Sequence, residues 1–318
     1  FAGRLERFRQ EQLGVNESAA GIARRWLSLN PRNESVSRAI SIVFQDEVSL
    51  GAAVDSVAAL VAGSSTELKG KGWELHRSSE TPLGYSGDLT FLYPGSGSLY
   101  PGAGRELFAR YPGALDRTAL TVSDLSRWLA APGSWQSDAD LPIDPRDAIL
   151  AQVTLGCIGT DLLLGCGIGP KRAAGHSLGE TTMLFALRAW RDRQAMQQQM
   201  ENEDLFTHWL AGEHRAAARE WSLPPGSKAH WAAAVVDGTE QQIRHAISSE
   251  PRLELLVVNA RNEIVLGGDP EVLARLCNSH GWTSIPLQGV TSVHCRLVSQ
   301  VASRYRALHH WPVYPPVG

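Results

Sequence analysis

The stretch AAGHSLGE (173–180) sets Ser177 between two glycines, Gly175 and Gly179, directly behind His176. A serine in GxSxG spacing is the pattern of a hydroxyl displayed on a sharp strand-to-helix turn, where small neighbours let the backbone close up. A serine hydroxyl is a weak nucleophile at neutral pH and needs a base within hydrogen-bonding reach. The chain offers ten histidines. His176 is unsuited, because consecutive residues at such a turn point in different directions. His294, in the turn TSVHC (291–295), falls where two predicted subdomains join and a cleft would form; by position alone a lone histidine is more often structural. A carbonyl attacked by Ser177 becomes an oxyanion that backbone N–H groups must stabilise. Leu178 supplies one such group at a helix N-terminus, and the glycine-rich loop PGSGS (94–98) can bring a second close. That loop reads also as an ordinary turn or a phosphate cradle, but it has neither the GxxxxGK[ST] pattern nor the dinucleotide-binding spacing. A hydrolase would pass the acyl group from Ser177 to water, a transferase to another carrier.

The elements that must hold these groups are legible around them. DLTFLY (88–93) reads as a strand running into the glycine-rich loop, and DAILAQVTLGCIGTDLLLGCGI (147–168) as a long helix. RAAG followed by Ser177 and LGETTMLFALRAW is strand, turn, helix, the context that lifts GxSxG above a bare pattern match. MQQQMENED (196–204) reads as an exposed helix end. From 229 to 288 the order is strand, helix, strand, strand, helix, strand, with Pro270 opening the second helix and Gly281 following it, which is the ferredoxin-like split motif. A turn and a helix come after it. Before residue 85 the pattern is a small α/β unit. Asn16 is positioned to cap a helix carrying Ile22, Ala23, Trp26, Leu27 and Leu29; AISIVFQ (39–45) reads as a buried strand; Ser49 is positioned to cap a second helix ending near Gly63.

Composition narrows the function classes. The chain has 318 residues, 43% hydrophobic and 20% charged, enough for two or three structural units with a substantial core. A net charge of −3 without a basic patch leaves no nucleic-acid footprint. Only Lys69, Lys71, Lys171 and Lys228 are lysines, so anion recognition falls to arginine, whose planar fork suits carboxylates and phosphates. Cys157, Cys166, Cys277 and Cys295 show no metal-ligand spacing and read as the reduced thiols of a cytoplasmic protein. No signal peptide and no apolar run of membrane-crossing length is read, and a start at Phe1 suggests a piece of something larger.

Four blocks in order, FLYPGSGSLYPGAGRELFARYP, AAGHSLGE, VVNARNEIVLGG and SVHC, resemble the acyltransferase domain of fatty acid and polyketide synthases, the malonyl-CoA:acyl carrier protein transacylase type, over about residues 88 to 318. The segment before them resembles the linker between ketosynthase and acyltransferase, and ETTMLFALRAWRDRQAM is similar to iterative type I enzymes of the enediyne and polyunsaturated-fatty-acid kind. The resemblance implies an α/β fold: a linker domain (1–85), an α/β-hydrolase-like core (86–228 and 289–318) and an inserted ferredoxin-like subdomain (229–288). It implies that Ser177 takes malonyl from malonyl-CoA and passes it to the pantetheine thiol of an acyl carrier protein, with His294 as base and acid and the N–H groups of Ser96 and Leu178 as oxyanion donors. It implies a neighbouring ketosynthase on the same polypeptide, and no permanent cofactor, metal, nucleic acid or membrane.

The sequence departs from that family at three places. Ser96 stands where the family has glutamine, a change that spares the backbone donor. Asn202 stands where an arginine would hold the extender carboxylate, 25 residues after the serine, leaving Arg193 and Arg215 as the nearest candidates. HC replaces HS at 294–295, and the family's C-terminal portion, which supplies a carbonyl orienting the histidine, is not matched. Two other readings stay open: a serine esterase or thioesterase of the α/β-hydrolase type, which wants an acidic third triad member and no ferredoxin-like insertion, and a catalytically silent docking domain.

Overall fold

The computed structural model describes residues 2–12, 18–29, 39–78, 87–100, 102–120, 144–289 and 291–317. The chain divides into two compact units, Phe1–Gly87 and Asp88–Gly318.

The first unit contains α1 (Ala2–Gln12), α2 (Ala19–Leu29), β1 (Ile40–Phe44), α3 (Glu47–Ala62), β2 (Glu67–Gly70) and β3 (Trp73–Arg77). The strands form an antiparallel sheet in the order β1-β3-β2. Alternation in β1 turns Ile40, Ile42 and Phe44 to the more buried side, facing the stripe Leu50, Ala53, Val54, Val57 and Leu60 of α3. The cap of α3 is Asp46, not the residue before Leu50. Its carboxylate accepts from Ser49 N–H at 2.7 Å while Ser49 Oγ accepts from Asp46 N–H at 2.9 Å, so the sequence's Ser49 is the third residue of a reciprocal capping box. The proposed cap Asn16 lies outside the described residues.

The second unit opens with β4 (Thr90–Tyr93), α4 (Arg105–Arg110), α5 (Pro112–Ala119), α6 (Pro145–Gly165), β5 (Arg172–Gly175), α7 (Leu178–Ala186), α8 (Arg193–Asn202), a π-helical turn (Leu205–Trp209) and α9 (Arg215–Glu220). β4 and β5 pair in parallel, with Tyr93 beside Gly175. α6 starts on a cap from Asp144, which accepts from Arg146 N–H at 2.8 Å, and has Pro145 in its first turn. It is long and apolar enough to cross a bilayer, with mean hydropathy 1.6, against the sequence reading; half of its most apolar stretch is buried in the protein, the pattern of a core helix. Gly156 lets α6 and α7 approach: a Cβ there would sit 2.2 Å from Thr182 Cγ2.

β6 (Ala232–Val236), α10 (Glu240–Ile247), β7 (Leu253–Ala260), β8 (Glu263–Gly268), α11 (Pro270–His280) and β9 (Ser284–Leu287) follow. Their antiparallel sheet runs β7-β8-β6-β9, the strand order of the ferredoxin-like fold. The sequence ends these helices cleanly: Thr239 and Gln242 form a capping box for α10, Asp269 caps α11, and Gly281 closes it at φ 66°. Ala234, Val236, Ile264 and Leu266 pack under the two helices, while Ala233, Leu256 and Val265 occupy the sheet's other face. The chain then makes tight turns at Ser292–His294 and Arg296–Val301 before α12 (Ala302–Ala307).

His214 and Trp231 flank the crossover from α9 into this sheet. Their rings stack with centroids 5.7 Å apart, and Trp221 stacks on Trp231 in turn. Burial pushes the His214 imidazole from 6.5 down to about 4. The unfolded chain therefore binds a proton that the folded one refuses between those values, so stability falls as the pH drops through 6.5 and this loss is complete near 4. The full loss is roughly 3 kcal/mol. His214→Asn, which keeps a side chain tolerant of the left-handed backbone at φ 49°, is expected to flatten that part of the acid dependence in urea unfolding followed from pH 7 to 4; an unchanged slope would refute the assignment.

Candidate active site

Ser177 sits between β5 and α7 at φ 54° and ψ −117°, a conformation in which a side chain with a Cβ is strained. The neighbours enforce it. A Cβ on Gly175 would lie 2.3 Å from Glu180 N, and one on Gly179 would lie 2.1 Å from Tyr93 O. Both glycines are needed because β4, β5 and the first turn of α7 press together. His176 N–H donates to Tyr93 O at 3.0 Å and Gly179 N–H to His176 O at 2.9 Å, which closes the turn.

Ser177 Oγ lies 2.6 Å from His294 Nε2, across 117 residues of chain. His294 is held by its own turn: Ser292, fully buried, donates to Leu210 O through both its N–H (2.9 Å) and its Oγ–H (3.0 Å). For the serine to donate, Nε2 must be the unprotonated ring nitrogen, and Nδ1 carries the hydrogen. Among the described residues nothing hydrogen-bonds Nδ1, and no carboxylate makes a third member of the set. Burial of the ring, helped by nearby His176, pushes the imidazole below its ordinary value, although one edge of the residue is open to solvent. That keeps it a free base at neutral pH. The adjacent Cys295 is inert: burial pushes its thiol up to about 12.

The glycine-rich loop reaches the same place. Gly97 has φ 91°, and Gly95 packs on His176, where a Cβ would come within 2.6 Å of the ring. Ser96, Ser177, Leu178 and His294 line one cavity of about 160 Å3. Among the described residues, the N–H groups of Ser96 and Leu178 are not engaged in backbone hydrogen bonds, so both are free for an oxyanion. A residue the sequence reading missed positions the loop. Gln152 of α6, buried, donates through Nε2 to Pro94 O at 3.0 Å and Gly95 O at 2.8 Å. The signal was a lone amide inside the apolar run ILAQVTL.

The two nominated arginines are not brought to the serine. Arg193, at the start of α8, lines a separate cavity of about 310 Å3 together with Arg117, Asp161, Arg188 and Arg191. Arg215 is exposed and held by Glu213 at 2.8 Å. Asn202 is exposed at the end of α8. The stretch 196–204 is not simply an exposed helix end either: Met196 and Met200 are buried and wall the serine's cavity, because α8 turns that face inward.

Two variants test this geometry. A fluorophosphonate probe is expected to label Ser177, and His294→Ala to slow labelling by about 100-fold or more with the circular dichroism unchanged. Gln152→Leu, which fills the space but cannot donate, is expected to slow labelling about tenfold through the displaced loop; unaltered rates in either variant would count against the site as drawn.

No family model matches the chain. It is 23% identical over 243 residues to a polyunsaturated fatty acid synthase component of Thraustochytrium sp., a match covering 70% of this chain and 12% of that protein. It is 26% identical over 227 residues to the malonyl CoA-acyl carrier protein transacylase of Bacillus subtilis, covering 69% of this chain and 66% of that one. The chain thus spans an eighth and about two thirds of these relatives' lengths. Among solved structures it is similar to the acyltransferase domain of SpnD in complex with 2-(pent-4-yn-1-yl)malonyl (TM-score 0.64, 17% identity). It is similar also to the acyltransferase domain of the second salinomycin polyketide synthase module (0.62, 20%) and to that of an iterative polyketide synthase in enediyne biosynthesis (0.57, 20%). Each of the three covers 99% of this chain and 68% of its own. The fold is that of polyketide synthase acyltransferase domains and malonyl transacylases.

Proposed function

We propose that this chain is an acyltransferase that carries an acyl group on Ser177 between two thiols, coenzyme A and the pantetheine arm of an acyl carrier protein. The observation that carries the reading is the 2.6 Å approach of Ser177 Oγ to His294 Nε2 at a strained strand-to-helix turn. The acyl group taken over from the relatives is malonyl, the group named in the Bacillus transacylase. A type II polyketide synthase carrier protein in complex with its malonyl transacylase is a structural neighbour (TM-score 0.55) and supports a carrier protein as partner.

The steps follow from the geometry. Ser177 Oγ–H gives its proton to His294 Nε2 as Oγ attacks the thioester carbonyl. The oxyanion is met by the N–H groups of Leu178 and Ser96. Collapse breaks the C–S bond, and the departing coenzyme A sulfur takes the proton from Nε2. In the second half the carrier's thiol gives its proton to Nε2, its sulfur attacks the serine ester, and Oγ leaves with the proton. Each half returns the imidazole neutral, a ping-pong exchange.

In this reading residues 1–85 are the linker beside a ketosynthase of the same polypeptide, 86–228 with 289–318 form the catalytic core, and 229–288 form the ferredoxin-like cover. The parent enzyme is an iterative synthase of the enediyne or polyunsaturated-fatty-acid type, a reading supported by the similarity to the Thraustochytrium fatty acid synthase. Four free cysteines fit a cytoplasmic setting. An esterase is less favoured, since no carboxylate backs the histidine among the described residues and a ferredoxin-like sheet is present.

Radiolabelled malonyl-CoA is expected to leave a stable label on Ser177 that holo carrier protein removes, with Ser177→Ala unlabelled. Rapid release to water would indicate an esterase, and no label a silent domain. Because His294 is lowered, the acid limb of the acylation rate is expected below pH 6.5, with activity falling only as the pH drops past that limb; a limb above 6.5 would contradict the burial assigned to the ring.

A further inference from the structure

His294 stands on a turn gripped between two layers of the protein. On one side is the helical core, where Ser292 donates twice to Leu210 O and Leu297 is buried just past the turn. On the other is the β7-β8-β6-β9 sheet, where Cys295 packs on the face formed by Ala233, Leu256 and Val265. Cys295 packs equally on the core's apolar cluster. The residue beside the histidine therefore fills the seam between the two layers. Among the described residues, none of the sheet lines the Ser177 cavity, so these residues bear on the site through the back of this turn.

Arg296, two residues past His294, spans the seam. On the sheet side it donates through Nε to Glu254 Oε1 of β7 at 2.6 Å and through Nη2 to Pro251 O at 3.3 Å. On the core side its Nη1 lies 2.8 Å from Glu220 Oε1, in the last turn of α9. A planar fork meets three acceptors in one fixed arrangement, which a lysine's point charge does not. Most exposed ion pairs contribute little, and Arg296 is itself half exposed. Glu254 is different. Its side chain is only 13% exposed, and a carboxylate with so little water depends on its partner. Without the guanidinium, Glu254 and Glu220 would be left as like charges across the seam. Drawing the sheet back rehydrates the one and separates the two.

We propose that Arg296 is a positioning residue for the base: by tying β7 to α9 it keeps the sheet pressed on Cys295 and so holds the His294 ring in its half-buried place beside Ser177. The proposal rests on the Ser177–His294 pairing within the acyl-transfer reading and does not depend on which acyl group is carried. The charges that act on the ring are those of His176 and Glu180, and Arg296 is not among them. The Cys295 thiol beside it is neutral, and Tyr305 and His309 share its cavity. Loss of the guanidinium therefore alters the imidazole by moving it, not by removing a charge it feels. A ring that swings outward regains water, and its proton affinity rises toward the ordinary 6.5. Because the ring must be neutral to accept the serine proton, the acid limb of Ser177 reactivity then moves up.

The experiment follows fluorophosphonate labelling of Ser177 across that acid limb in the unaltered protein, Arg296→Gln and Arg296→Lys. In Arg296→Gln the limiting rate is expected to fall about tenfold and the limb to move up toward 6.5. The probe concentration giving half the limiting rate is expected to stay the same. Cys295, followed by peptide mapping, is expected to react faster with iodoacetamide. Arg296→Lys, which keeps the charge, is expected to recover part of the lost rate. Glu220→Ala cuts the tie at an exposed helix end and serves where Arg296→Gln does not fold; about threefold slower labelling is expected, with the limb moved the same way. A limb that neither Arg296→Gln nor Glu220→Ala moves overturns the proposal. So does a lysine variant no better than the glutamine one. So does a half-saturating concentration that rises while the limiting rate holds, which would put the guanidinium on the ligand's path rather than behind the base. Malonyl-CoA labelling is read in parallel: its absence, with the probe results as expected, defeats the acyl-transfer reading and leaves the role of Arg296 standing. An unaltered protein that the probe does not label defeats the pairing and the proposal together.

Discussion

The site depends on a backbone that cannot relax at Ser177. A non-glycine residue at φ 54° costs on the order of 1–3 kcal/mol, and it persists only where surroundings over-determine it. Here the surroundings are close-packed backbone: β4 against β5, and the first turn of α7 laid on Tyr93 through the bare Cα of Gly179. One strained residue thereby does two things. It lifts Oγ out of the turn, where His294 can reach it, and it leaves the first N–H of α7 pointing at the same space. The opposing half of the site is anchored independently, by Ser292 directing both its donors to Leu210 O. The distance between Ser177 Oγ and His294 Nε2 is thus set by two rigid attachments rather than by the two side chains themselves.

How much of this was legible follows from how local each feature is. The ferredoxin-like order could be read because each strand alternates, each helix has its own cap, and Pro270 and Gly281 mark ends by their own backbone preferences. The elbow could be read because its glycines and serine are consecutive. Ser49 misled because a capping box places a small polar residue at both its ends, and a single sequence does not say which one stands outside the helix; Asp46 does. The inward face of α8 was missed because glutamines surround Met196 and Met200, so periodicity there is weak, and burial comes from what packs on the helix. Gln152 was missed for the same reason in reverse: a polar residue in an apolar helix has meaning only once the loop carbonyls it satisfies are beside it.

The arginines show the limit most plainly. Sequence distance from Ser177 nominated Arg193, and the helix that carries it does line the serine's cavity, but with Met196 and Met200. Residues three and seven apart share a helix face but are separated along the axis, about 10 Å for seven residues, so a position one or two turns from a lining residue can open into a different cavity. That is what happens at Arg193, which at the N-terminal end of α8 lines a cavity with Asp161 and Arg188 instead.

The apolar wall and the state of His294 are one feature. Among the described residues no carboxylate hydrogen-bonds Nδ1; burial, the larger effect, disfavours the imidazole's charged form, and the charge of Glu180 only partly offsets it. In the proposed transfer this suits a base that must be free at the start of each half-reaction. It also constrains what can share the cavity. A fixed cation placed there to hold a substrate carboxylate would lower the histidine's proton affinity further and weaken it as a base. A carboxylate arriving without such a cation would raise that affinity, so that some of the histidine enters the encounter already protonated and unable to accept from Ser177. An uncharged chain leaves the balance where burial has set it. The medium that tunes the imidazole is therefore the same medium any acyl group on Ser177 would enter.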